Sequence, residues 1–277
     1  MHDHPAFARR MFDLFEPICL VNFFSEEPHE EMAALGFTNY WDGYFAGRSA
    51  PLGRVPAEVV DALFYSFGPG EVARHLPKVW ETVTPEEAYA ARERGCTAAL
   101  RRILGDLADS PDLERAADLL TEVATSAPVQ GHAIYAALRS LPVPEDPLAR
   151  LWHAADLLRE HRGDGHVVAL LTEGIGSTEA HVLSAIDLGI EPPESFGRIH
   201  HLPEAHLAAT MAGLRARGLV DAEGRFTPDG RASKDRIEAL TDRLAAAPYD
   251  GRTPDELARL AEALEPIARV LSAAGSS

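Results

Sequence analysis

Apolar residues recur at helical spacing along most of the chain, interrupted by short runs rich in Gly, Pro and Asp, so the pattern predicts a mainly α-helical protein. Met11, Phe12, Phe15, Ile18 and Cys19 make the first stripe, from about Ala8. It is disturbed near Glu26-Glu27-Pro28-His29 and resumes to Leu35. A short helix follows through Trp41–Arg48, closed by Pro51-Leu52-Gly53, and another runs from Pro56 to about Phe67. Further helices are expected from Glu86 to Leu107, on the stripe Leu113, Ala116, Leu119, Leu120, Val123, and from Gly131 to Leu141. Leu148, Leu151, Trp152, Ala155 and Leu158 open a long stripe that resumes at Val167 beyond Gly163-Asp164-Gly165. This predicts one helix with a weak point or two in line. Ser177 is placed as an N-cap, with a helix to about Asp187 and Gly189 just beyond it. Pro192, Pro193, Ser195 and Gly197 mark a loop. A helix from Pro203 carries Leu207, Met211 and Leu214 and stops near Gly218. Leu219–Thr227 reads as a hairpin turning at Glu223-Gly224. The last two helices bear Ile237, Leu240, Leu244 and then Leu257, Leu260, Leu264, Ile267, Val270.

The order of elements repeats. Thr84-Pro85 returns as Thr227-Pro228 and Pro111-Asp112 as Pro254-Asp255, both displaced by 143 positions, and the flanking stripes correspond. Looser matches precede them, Leu35-Gly36 with Glu173-Gly174 and Pro56-Ala57-Glu58 with Pro203-Glu204-Ala205, and Leu76–Thr84 stands where the hairpin of the first copy would be. We therefore expect two tandem domains, 1–141 and 148–277, joined by the proline-rich linker 142–147.

Composition narrows the function. The 277 residues carry a formal charge of −17, and Lys78 and Lys234 are the only lysines, which argues against nucleic acid as a partner. Cys19 and Cys96 are isolated from each other in sequence, so no disulfide framework or CxxC metal site is expected. No segment reads as a leader or a membrane span, and a cytoplasmic location is the expectation.

The stretch "LRARGLVDAEGRFTPDGRA" closely resembles the MarR family of transcriptional regulators, with good correspondence over roughly Leu202 to Val270 and by element order before it. "GYFAGRSAPLG" and "LREHRGDGH" together resemble actinobacterial helix-turn-helix proteins of the SalK type across most of the chain. The MarR resemblance implies a winged helix-turn-helix fold with short β-hairpin wings, the terminal helices forming a dimer interface and the ligand pocket lying beside the first helix. A tandem copy then implies an intramolecular pseudo-dimer, monomeric or weakly homodimeric.

A major-groove helix needs Arg, Lys, Asn or Gln near its start. The helix from Pro56 offers Glu58 and Asp61. Its counterpart from Pro203 offers Glu204, His206 and Thr210, with Arg215 and Arg217 only at its far end, and Asp221 and Glu223 lie in the wing. DNA reading is thus expected to be lost.

Two polar clusters are candidates for a small-molecule site. Arg162, Asp164 and His166 interrupt an apolar helix, as Glu26, Glu27 and His29 do in the first copy; the alternative is a solvated turn. Trp41, Tyr44, Phe45 and Arg48 form the second cluster, in which Tyr44 and Arg48 share a helix face; an aromatic core with one Arg reaching solvent is equally compatible. The reading is one composite pocket between the halves. The alternatives are a ligand-responsive regulator, and an enzyme or haem or metal protein using His166 with His161 or His29. No cofactor is required by the sequence, and no nucleophile elbow or phosphate loop supports catalysis.

Overall fold

A computed structural model describes residues 4–190 and 203–275, and the expected loop at Pro192–Gly197 lies outside them. The described chain is mainly helical, as the periodicity predicts. In order, the helices are α1 (His4–Phe24), α2 (Glu26–Ala34), α3 (Tyr40–Ser49), α4 (Ala57–Phe64), α5 (Glu71–His75), α6 (Val79–Thr82) and α7 (Pro85–Leu104). They continue with α8 (Pro111–Ser126), α9 (Ala133–Arg139), α10 (Pro147–Thr172), α11 (Ser177–Asp187), α12 (Glu204–Ala216), α13 (Pro228–Leu244) and α14 (Pro254–Gly275). The four repeated landmarks all open helices. Thr84 caps α7 through a reciprocal pair with Glu87, and Ser110 caps α8. Thr253 and Glu256 do the same for α14. Pro85, Pro111, Pro228 and Pro254 occupy first helical positions, where a missing N–H has no cost.

The chain divides into two compact units. The first gathers the chain up to Val55, Pro77–Gly165 and the stretch from Asp242 onward, and the second gathers Pro56–Leu76 and His166–Thr241. The boundaries fall inside α10 and α13.

In the first unit, α1, α7, α8 and α14 pack together with the first part of α10. Met11, Phe15 and Ile18 of α1 meet Cys96 and Leu100 of α7, Leu113 and Leu120 of α8, Trp152 of α10, and Leu260 and Leu264 of α14 in one buried core. The α2 helix lies against α7 so closely that a Cβ on Gly95 would sit 2.4 Å from Pro28 Cα. Pro28 itself falls in the first turn of α2, whose N–H groups lack helical partners anyway. The expected disturbance is therefore a clean break at Ser25 between α1 and α2.

In the second unit, Leu170, Ile175, Val182 and Leu183 pack on Leu207, Met211 and Leu214 of α12 and on Ile237 of α13. Gly176, one residue before the expected Ser177, caps α11, its N–H donating to Glu179 at 2.9 Å. After α12 the chain turns back at Gly218 and forms a tight hairpin. Val220 and Phe226 make an isolated antiparallel bridge, with Gly224 at φ +82° in the turn. The Asp221 carboxylate accepts from the Glu223 and Arg225 N–H groups. Gly230 seats the first turn of α13 on this hairpin, because a Cβ there would lie 1.9 Å from the Leu219 carbonyl oxygen. Among the described residues this bridge is the whole of the β structure. The segment from Leu76 to Thr84, expected to hold the other hairpin, forms α6 instead.

The weak point expected at Gly163-Asp164-Gly165 is not a break, and α10 runs through it. The glycine at 165 answers a packing need: a Cβ there would come within 3.1 Å of Leu244 Cβ. Glycine loses roughly 1 kcal/mol of helix propensity, and here it allows α10 and the end of α13 to approach.

Candidate functional site

The first unit contains a cavity of about 290 Å³ between α2, α3 and α7. It is built on α3, which Asn39 starts by accepting the Trp41 N–H at 2.8 Å. One turn later Tyr44 and Arg48 stack along the same face, and the guanidinium donates to the phenol oxygen at 3.0 Å. Gly43 and Gly47 occupy the neighbouring face. Cβ atoms there would lie 3.1 Å from Met32 Cβ and 2.8 Å from Met32 Cε, so glycine at these positions lets α3 approach α2 closely around the Met32 side chain. His29, Met32, Phe37 and Tyr40 line the cavity together with Tyr44, while Asn22, Arg48 and Arg92 supply its polar lining.

The two arginines are held by carboxylates from α10. Arg48 donates to both oxygens of Glu160, at 3.2 and 3.1 Å, and Arg92 to both oxygens of Asp156, each at 2.9 Å. Asp156 and Glu160 are one helical turn apart, so one face of α10 presents both. Arg159 lies between them, 3.0 Å from Glu16 and 3.6 Å from Glu160. The Arg92 and Arg159 guanidiniums stand over Trp152 and Phe23, at 5.0 and 5.1 Å. Asp156 and Glu160 are 1% and 2% exposed, which without partners would be costly. Burial alone would raise the Glu160 carboxyl, but the charges of Arg48 and Arg159 outweigh it and hold it down at about 2. The Arg48 guanidinium is likewise kept charged against its burial by Glu160 and Tyr44. Asn22 completes the network, its carbonyl oxygen accepting from Arg92 Nε at 3.2 Å and from Cys96 Sγ at 3.5 Å.

Of the residues singled out in the sequence, His29, Tyr44 and Arg48 line this cavity. Trp41 stands edge-on to Tyr44 at 5.3 Å and supports the wall, and Phe45 is wholly buried beneath it. The second cluster is built into the framework. Arg162 pairs with Asp242 at 2.7 Å, its guanidinium 4.6 Å over the Phe12 ring. Asp164 accepts the Tyr135 N–H at 3.1 Å and so caps the start of α9. Burial pushes the Asp164 carboxyl up to about 7, although the N–H groups of Tyr135 and Ile134 pull it back. In the second unit, Thr241 donates to the Ile237 carbonyl and accepts from His166 Nδ1 at 2.9 Å.

Among the described residues no group of three or more His, Cys, Asp or Glu side chains is arranged to hold a metal. His161, one of the proposed ligands, stacks on His132 with centroids 3.8 Å apart, and burial holds it down at about 3. His200 and His201 lie outside the described residues.

Sequence reasoning missed Asn22, Met32, Arg92 and Asp156. The available signal was polarity inside apolar stripes: Asn22 follows Leu20-Val21, and Asp156 follows Ala154-Ala155.

In the second unit α11 packs against α12, and the bridged turn follows α12. The exposed face of α12 presents Glu204, Ala205, Ala208, Ala209 and Ala212 before its first base at Arg215. Every described arginine and lysine of this unit already has a partner. Arg217 pairs with Glu179, Arg231 with Asp187, Arg236 with Glu173 and Lys234 with Glu238. Arg225 pairs with Asp221 and Glu223, Arg74 with Glu71, and Arg215 donates to the hairpin carbonyls of Asp221 and Ala222.

A family model described as a helix-turn-helix family matches residues 8–277. No curated protein and no solved structure matches the chain. The chain belongs to this helix-turn-helix family.

Proposed function

Within the helix-turn-helix family to which it belongs, we propose that this chain is a small-molecule-binding protein in which the DNA-reading head no longer grips DNA. The observation that carries the reading is the cavity between α2, α3 and α7, with aromatic walls and a polar floor at half-buried Asn22 and Arg48 and buried Arg92. A few placed polar groups in a mostly apolar hollow are the usual composition of a ligand site. The head supports the other half of the reading. Phosphate contacts draw on basic side chains, and here the described ones stand beside carboxylates such as Glu179, Asp187 and Glu173, whose charge repels a phosphate.

The finer architecture belongs to the same proposal. The two halves are MarR-like winged-helix copies folded as an intramolecular pseudo-dimer. Glu16 and Arg159 meet at 3.0 Å, and their separation of 143 positions equals the spacing of the repeated landmarks. A residue on a two-fold axis touches its own counterpart, which is how this contact supports duplication. The cavity takes its lining from the first copy, while the second copy contributes Glu160 behind Arg48.

The test pairs the wild type with Ala33→Trp, which places an indole at an exposed position lining the cavity. Neutral aromatic fragments should raise the melting temperature of the wild type and leave Ala33→Trp unchanged. Fragments that act equally on both proteins contradict the site. A second reading, a ligand-responsive DNA-binding regulator, draws on the family match and the α11–α12 arrangement. Nanomolar binding to genomic fragments in a mobility-shift assay at low salt would establish it and overturn the loss of DNA binding.

A further inference from the structure

We infer that the cavity takes an uncharged, flat aromatic molecule that directs a carbonyl or similar acceptor oxygen toward Asn22; this rests on the ligand-binding reading above. The buried charges behind the cavity are already balanced. Arg48 faces Glu160, Arg92 faces Asp156 and Arg159 faces Glu16. An entering anion would meet guanidiniums whose bidentate geometry is spent, with Glu160 and Asp156 directly behind them. An entering cation would meet Arg48 and Arg92. An uncharged molecule leaves the network as it is.

The walls select for shape. Tyr40 and Tyr44 are tilted at 31° with centroids 6.2 Å apart, and His29 stands edge-on to Tyr40 at 5.1 Å. Phe37 and Met32 close the apolar side. Ring edges and faces with a thioether beside them favour a planar aromatic guest. The volume lies at the small end of ligand cavities, which run from roughly 300 Å³ upward, and suits a bicyclic core.

Asn22 sets the polarity. Its oxygen accepts from Arg92 and Cys96, which fixes the amide's orientation and turns its NH₂ into the end that remains to donate. Among the described residues that nitrogen has no partner, so the complementary guest group is an acceptor.

The test uses four probes of similar size: chromone, chroman (which lacks the carbonyl), chromone-2-carboxylate and N-methylquinolinium. Each is titrated by calorimetry into the wild type, Asn22→Asp and Ala33→Trp. Chromone should bind the wild type about tenfold more tightly than each of the other three probes, and Asn22→Asp should weaken it by a similar factor. Ala33→Trp should abolish its binding. A carboxylate or quinolinium that binds more tightly than chromone, and is lost in Ala33→Trp, overturns the ligand class while leaving the cavity reading standing. Equal binding of chromone and chroman overturns the Asn22 assignment without relying on any variant's folding. If no probe distinguishes the wild type from Ala33→Trp, the cavity reading itself fails.

Discussion

Two groups of polar side chains interrupt helices that are otherwise apolar, and they differ in what surrounds them. Tyr44 and Arg48 on α3 border a hollow, where their contacts leave an adjoining volume of about 290 Å³. Arg162, Asp164 and His166 on α10 are absorbed by the fold, by Asp242, by the start of α9 and by Thr241 respectively. Both groups look alike in sequence. What separates them is where their hydrogen-bonding partners come from: a guest can be recognised only where the protein has not filled the space itself.

The largest effect is expected where the cavity's floor is broken from behind. Asp156→Asn leaves Arg92 buried against a neutral partner and should lower stability by about 3–5 kcal/mol, read by urea denaturation. A loss below about 1 kcal/mol would mean that this pair behaves like a surface one. Asp164→Ala comes next. Removing the cap of α9 should cost about 1–2 kcal/mol and leave ligand binding unchanged, which sharpens the contrast between the two clusters.

The pH dependence separates the same residues. Asp164 titrates at about 7 in the folded chain, above the usual carboxylate value, so its contribution to stability is present at low pH and is lost as pH rises toward and through 7. Asp164→Asn keeps an acceptor oxygen for the cap, so the variant should be more stable than the wild type at pH 8, with the difference closing as pH falls toward 4. His161 works in the other direction. It is held at about 3, so the stability it contributes at neutral pH declines as pH falls below 6.5. That acid limb should remain in Asp164→Asn and become shallower in His161→Gln, with His132 and His153, also lowered by burial, sustaining the rest. The smallest effect is expected at the surface of the second unit, where Arg236→Ala removes an exposed pair with Glu173 and should cost less than about 1 kcal/mol.

Much of the helical framework was legible because periodicity and helix-start signals are local. The stripe from Met11 to Cys19 and the turn at Gly224 follow from neighbours in sequence. The cavity was legible only in part. Tyr44 and Arg48 share a helix turn, so their contact could be read directly, but Arg48 meets Glu160 across 112 positions and Arg92 meets Asp156 across 64. No local rule pairs such charges. Gly165 left one helix or two in line open for the same reason, since its partner Leu244 arrives from another helix, and a residue that permits close packing resembles a helix breaker. The expected hairpin at Leu76–Thr84 failed because correspondence with the second copy outweighed the segment's own residues, which form a helical turn at Val79–Thr82.

The contrast between the two clusters is tested most directly by titrating chromone into Ala33→Trp and Asp164→Ala side by side with the wild type. Binding should vanish in Ala33→Trp and persist at wild-type affinity in Asp164→Ala. Loss of binding in Asp164→Ala with full retention in Ala33→Trp would place the site at the other cluster and contradict the account.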